Sequence, residues 1–161
     1  MFALEITLGI VILFFVLLFV IIPFVLARVG GWAALAAEYR LQGEFEGTRW
    51  WFQELTLRGW CGYNGCVSVG ASADGLYLNT IFWVSHPPLF IPWADLSVAR
   101  REVKFLGFRV GQVEFATRRV PGVHIALRES LLKKIAEVHA TALPTEQQEA
   151  LEAASPPEAP Q

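Results

Sequence analysis

Ile6-Thr7-Leu8-Gly9-Ile10-Val11-Ile12-Leu13-Phe14-Phe15-Val16-Leu17-Leu18-Phe19-Val20-Ile21-Ile22-Pro23-Phe24-Val25-Leu26-Ala27 contains no charged side chain, and Thr7 is its only polar one. At about 1.5 Å per residue the run makes about 33 Å of helix, enough to cross a hydrocarbon core of about 30 Å. It predicts a membrane-spanning helix. A soluble core helix would keep a polar face, and this run has none. A cleaved secretory leader needs a basic start and a shorter apolar centre, whereas Met1-Phe2-Ala3-Leu4-Glu5 contributes an acid. The expectation is therefore an uncleaved anchor over residues 1–28.

Positive flanks stay on the cytoplasmic side, while acids count for little. Arg28 follows the run directly and Arg40 comes soon after, but no Lys or Arg precedes it. The expected placement is single-pass in an inner, or cell, membrane, with the amino terminus outside and the rest cytoplasmic. Pro23 near the inner end reads as a bend.

The chain has 161 residues and a net charge of −2, distributed unevenly. All thirteen Lys and Arg lie between Arg28 and Lys134, while Glu146, Glu149, Glu152 and Glu158 have no base beside them. A mildly basic membrane-proximal domain and an acidic tail follow. Residues 141–161, rich in Pro and free of aromatics, are expected to be disordered. No long basic stripe suggests nucleic acid. Cys61 and Cys66, with four residues between them, are expected to be thiols in a reducing compartment. They lack the further ligands of a zinc site.

Past Gly30-Gly31, the residues Trp32, Leu35, Ala36 and Tyr39 recur at helical spacing, predicting a short amphipathic helix within 29–43. It lies either at the bilayer surface or against the domain; Arg28, Trp32 and Tyr39 suit the interfacial zone. Thr48–Leu57 reads as a strand with Trp50, Phe52 and Leu55 inward and a slip of phase near Gln53-Glu54. A Gly-rich loop, a strand at Cys66–Gly70, a turn at Asp74-Gly75 and a strand at 76–82 follow. His86-Pro87-Pro88 is a loop. Residues 89–103 read as a strand bent at Pro92, Lys104–Phe108 as a turn, and Gly111–Thr117 and Val123–Leu127 as the last strands. A helix from Ser130 to His139, with Ser130 as N-cap, closes the domain.

This order resembles the pleckstrin-homology (PH) or GRAM-like superfold, in which a bent antiparallel barrel is plugged by a C-terminal helix. The chain also resembles small bacterial single-pass membrane proteins of unknown function. The residues that carry the likeness are Gly31-Trp32, Leu35-Ala36, Tyr39, Tyr63-Asn64-Gly65-Cys66, Gly75-Leu76-Tyr77-Leu78 and His86-Pro87-Pro88-Leu89-Phe90-Ile91-Pro92-Trp93. The resemblance implies an α+β fold with a PH/GRAM-like barrel over 44–140 and brings no settled activity.

No nucleophile with its base, metal cluster or phosphate-binding Gly motif is legible. His86, His124 and His139 are expected in ordinary surface or half-buried roles, and Asp95 is expected either to order the strand entry or to pair with Arg118 or Arg119. The basic cluster Arg100, Arg101, Lys104 and Arg109 is the candidate contact for anionic lipid headgroups or a membrane protein partner. Arg100 and Arg101 point to opposite faces of a strand, so at most three of the four share a surface, and at about 1 kcal/mol per base they would contribute about 2–3 kcal/mol. The expectation is a non-enzymatic binding or scaffold module at the cytoplasmic face, without a cofactor. The alternatives are a structural accessory subunit that packs through its span at Gly9, and a redox pair at Cys61 and Cys66.

Overall fold

The computed structural model describes residues 2–83, 85–99, 103–105 and 108–138. The expected tail at 141–161 and His139 lie outside them. An apolar helix begins the chain: α1 (Phe2–Val16), a π-helical turn (Leu17–Ile21) and α2 (Ile22–Gly30) run on without a break. Its 26-residue stretch Glu5–Gly30 has a mean hydropathy of 3.4 and is long and apolar enough to cross a membrane. The π turn has a local cause. Pro23 offers no N–H and its ring crowds the carbonyl four residues back, so the chain widens ahead of it. There Ile22 N–H bonds to the Leu17 carbonyl, five residues back.

Gly31, at φ 100°, ends the helix in the left-handed conformation that favours Gly, and α3 (Trp32–Tyr39) starts at once. A side chain at Gly31 would meet Val123 Cγ2 at 2.9 Å. The following strands are β1 (Thr48–Leu57), β2 (Cys61–Ala71), β3 (Gly75–Thr80), β4 (Leu89–Pro92), β5 (Leu96–Ala99), β6 (Val103–Phe105), β7 (Phe108–Val110), β8 (Gln112–Thr117) and β9 (His124–Arg128), and α4 (Glu129–Val138) closes the order.

Seven strands form one antiparallel sheet in the order β4-β3-β2-β1-β9-β8-β5, and β6 with β7 make a separate hairpin. The two edges of the large sheet, β4 and β5, are consecutive in the chain, joined by a 3₁₀ turn at Trp93–Asp95. The sheet is thereby bent into a nearly closed barrel, which leaves little free edge. Trp93 fixes the corner by donating its backbone N–H to the Asp74 carbonyl (3.1 Å) and its indole N–H to the Ser72 carbonyl (2.9 Å). The single strand expected over 89–103 is thus broken here, and the turn expected at Lys104–Phe108 is the β6–β7 hairpin.

β1 matches its expected limits, but Phe52 does not point inward. The register with β2 slips between Trp50 and Gln53 and again before Glu54, leaving Trp51 and Phe52 as a bulge. Phe52 sits at φ 56° with 77% of its surface exposed. One extra residue inverts the alternation, so Leu55 and Leu57 face the core while Phe52 faces out. β2 also starts earlier than expected, because Cys61–Asn64 pairs with the end of β1 rather than looping.

The core is a single apolar cluster. It joins Val67, Val69, Leu78, Ile91, Ile125 and Leu127 of the barrel to Trp32 and Leu35 of α3 and to Leu131, Leu132 and Ile135 of α4. Ser130 is exposed inside α4, one residue beyond its start, so it does not cap the helix; Glu129 occupies the first turn, where its charge suits the helix dipole. Asp95 pairs with Arg119 at 2.9 Å, one of the two partners expected for it.

A close approach at Gly30 joins helix to barrel. A Cβ there would lie 2.6 Å from Cys61 Sγ. Gly30→Ala should therefore destabilise the protein by about 1–3 kcal/mol, and adding Cys61→Ala should recover most of that loss. Unfolding of the four detergent-solubilised proteins, followed by tryptophan fluorescence, measures this coupling.

Candidate functional site

At the end of the barrel nearest the apolar helix lies a buried polar cluster built from three elements. Strand alternation puts Cys61 and Tyr63 of β2 on the inner face. The 81–88 loop brings in Ser85 and His86, held by the bond from His86 N–H to the Phe82 carbonyl (3.0 Å). Trp32 of α3 donates its indole N–H to the Pro87 carbonyl (3.0 Å) and so ties the loop to the base of the helix. His86 is fully buried. Its Nε2 is 3.0 Å from the Tyr63 hydroxyl and its Nδ1 is 2.8 Å from Ser85 Oγ. The rings of Trp32, Tyr63 and Phe82 surround it at centroid distances of 5.1, 5.4 and 5.9 Å.

Burial sets the protonation of this cluster. It lowers the His86 pKa to about 4, the Phe82 hydrogen bond opposing only in part. Burial also pushes the Tyr63 hydroxyl well up, with the neighbouring Cys61 adding to the shift. The Cys61 thiol is raised by burial against a lowering hydrogen bond from Tyr63, and Cys66 is raised for the same first reason. All four groups favour their neutral forms at pH 7. Neutral imidazole donates through one nitrogen and accepts through the other, so the Tyr63 and Ser85 hydroxyls take opposite roles. A thiol held protonated is a weak nucleophile. Chemically, the cluster is suited to locking the loop against the helix.

The same loop starts a second feature, which faces outward. Trp83 is 78% exposed, and Ile81, Trp51, Phe52 and Trp60 are exposed as well. Ile81 N–H bonds to the Cys66 carbonyl, while the Trp51-Phe52 bulge flanks the other side of β2. Large apolar side chains are therefore exposed on the β1 bulge, on the β1–β2 turn and on the chain leaving β3. Ser68, on β2 between them, is 5% exposed and its hydroxyl has no partner among the described residues. Trp60 occupies the β1–β2 turn beside Arg58, whose guanidinium donates to the Val29 carbonyl at 2.9 Å.

The expected sites fare differently. Arg28 lies in the last turn of α2, with its guanidinium 4.5 Å from the centre of the Phe24 ring. Trp32 and Tyr39 are 0% and 3% exposed, buried in the domain core rather than turned to a bilayer. Of the two placements open to α3, packing on the barrel is the one adopted, because Trp32, Leu35 and Tyr39 form its buried face. Tyr39 Oη also accepts the Arg119 N–H at 3.0 Å. Lys104 and Arg109 are cross-strand partners in the β6–β7 hairpin, whereas Arg100 and Arg101 lie outside the described residues. His124 pairs with Glu114 at 3.0 Å. His86 and the outward aromatics were not anticipated. A histidine fixed before two prolines, after the apolar Ile81-Phe82-Trp83, is the signal that could have found both.

No protein-family model, curated protein or solved structure matches this chain.

In the unfolded chain His86 titrates near 6.5, and in the fold near 4. Between these values the unfolded state binds the extra proton, so stability is full above about pH 6.5 and falls as pH drops toward 4. The loss is at most about 3 kcal/mol. His86→Asn should flatten this slope, as denaturant midpoints measured across the window will record.

Proposed function

We propose that the chain is a single-pass inner-membrane protein whose barrel serves as a non-enzymatic binding or scaffold module at the cytoplasmic face. The observation that carries this reading is the face that α2 buries against the domain. Pro23, Ala27 and Gly30, spaced at i, i+4 and i+7, are buried and Leu26 packs half-buried against the core, although the helix from Glu5 to Ile22 is bare. A leader destined for removal has no need of a face fitted to the folded domain. The fit favours a retained anchor that holds the barrel in a set orientation, and the positive flank at Arg28 favours a cytoplasmic barrel.

The sheet order and the terminal helix support the PH/GRAM-like resemblance. The binding surface in this reading is the outward aromatic group. A bulky residue held at positive φ costs about 1–3 kcal/mol, and Phe52 gains no burial in return. Such strain at an exposed aromatic favours a role outside the fold's own stability. Exposed Trp and Phe beside one another are also the residue types that anchor protein interfaces.

Two measurements test the reading. External protease applied to intact cells should spare the region around Trp93, and cleavage there would place the barrel outside. Photo-crosslinking residues installed at Trp51 and Trp83 should capture the same protein in cells. Adducts arising only from span positions such as Leu13 would replace this reading with that of an accessory subunit. Phe52→Asn should raise stability by about 1 kcal/mol, since Asn tolerates the left-handed conformation, yet weaken capture of the partner.

A further inference from the structure

A cleft of about 310 Å³ opens between α2, α3 and the 85–87 loop. Its walls are Phe24, Ala27 and Arg28 from the last two turns of the apolar helix, the small side chains of Ala33, Ala36 and Ala37 on α3, then Arg40, and Ser85 with Pro87. Two arginines, Arg28 and Arg40, therefore line a mostly apolar cleft. Arg28 rests against the Phe24 ring, and among the described residues neither Arg28 nor Arg40 has a carboxylate partner. By contrast, Arg119 and Arg128 are both paired with acids, and Arg49 and Arg58 donate to backbone carbonyls.

We infer that this cleft binds the phosphate of an anionic phospholipid in the cytoplasmic leaflet. The inference rests on the reading that α1 and α2 span the bilayer, and it adds a defined lipid site to that reading. Three observations support it. Phe24 and Arg28 are one helical turn apart, about 6 Å along the axis, so the cleft covers the step from hydrocarbon to headgroup at the end of the span. Guanidinium is the side-chain group best matched to phosphate, through paired N–H donors. The volume lies at the lower end of the range for ligand pockets, about 300–1,000 Å³, which suits a phosphate and its glycerol rather than a whole lipid. The acyl chains would continue up the bare face of the helix past Phe24. The site differs from the basic β6–β7 hairpin, which belongs to another part of the chain.

The test uses the full chain reconstituted in phosphatidylcholine vesicles with and without a minority of phosphatidylglycerol, then examined by native mass spectrometry. The wild type should retain phosphatidylglycerol in preference to phosphatidylcholine. Arg28→Gln with Arg40→Gln should reduce that preference about tenfold, while Arg49→Gln should leave it unchanged. Ala36→Leu, which narrows the floor without altering charge, should also reduce it. Equal retention of both lipids by the wild type, or an undiminished preference in the double variant, would overturn the inference. Thermal stabilisation of the lipid-free protein by inorganic phosphate, lost in the double variant, combined with no lipid preference, would reassign the cleft to a soluble phosphate and overturn the lipid assignment. Failure of the chain to sediment with either vesicle would instead defeat the anchoring itself, so the two failures are distinguishable.

Discussion

The close packing of Gly30 on Cys61 is the contact on which the rest of the molecule depends. With no Cβ at residue 30, the end of the apolar helix reaches the barrel wall, and Gly31 then turns the chain so that Trp32 enters the core at once. Arg58 completes the join by occupying the Val29 carbonyl, one of the acceptors that a helix end leaves free. A flexible linker would have left these groups in water. Here two glycines, one thiol and one guanidinium convert a chain connection into a packed interface.

That interface explains why the most polar part of the interior lies where it does. The carbonyls of a helix end and of a proline loop need donors when both are drawn inside. Trp32 supplies one to the Pro87 carbonyl and Arg58 one to the Val29 carbonyl, while the Ser85, His86 and Tyr63 side chains satisfy one another without introducing a net charge. The aromatic rings around His86 exclude water, which lowers its basicity. The cluster thus stabilises the junction while leaving the outer aromatic face to be shaped by the β1 bulge.

Much of the architecture was legible because the patterns were simple. A charge-free run long enough for a bilayer, strict alternation at Val123, Ile125 and Leu127, and the Asp74-Gly75 turn each follow from a single periodicity or turn preference. The limits of β1 were readable too. The inversion at Phe52 was visible only as a slip of phase, since no sequence rule says which side a bulge residue takes. Trp32 and Tyr39 suit both an interface and a core, and tertiary packing decided between them. His86 is legible only as a loop residue, because its partners Tyr63 and Trp32 lie 23 and 54 positions away. Only the fold brings those rings together.

The fixed junction has one more consequence, which concerns rotation. Because α2 is continuous with the helix before it and packed on the barrel after it, each residue of helix carries an azimuth of about 100° that is passed on to the domain. The compass bearing of Phe52 and Trp83 about the helix axis is therefore encoded in the helical phase of a segment remote from them in sequence. A neighbour gripping the apolar helix could turn the barrel's aromatic side toward or away from itself, as a key turns its bit.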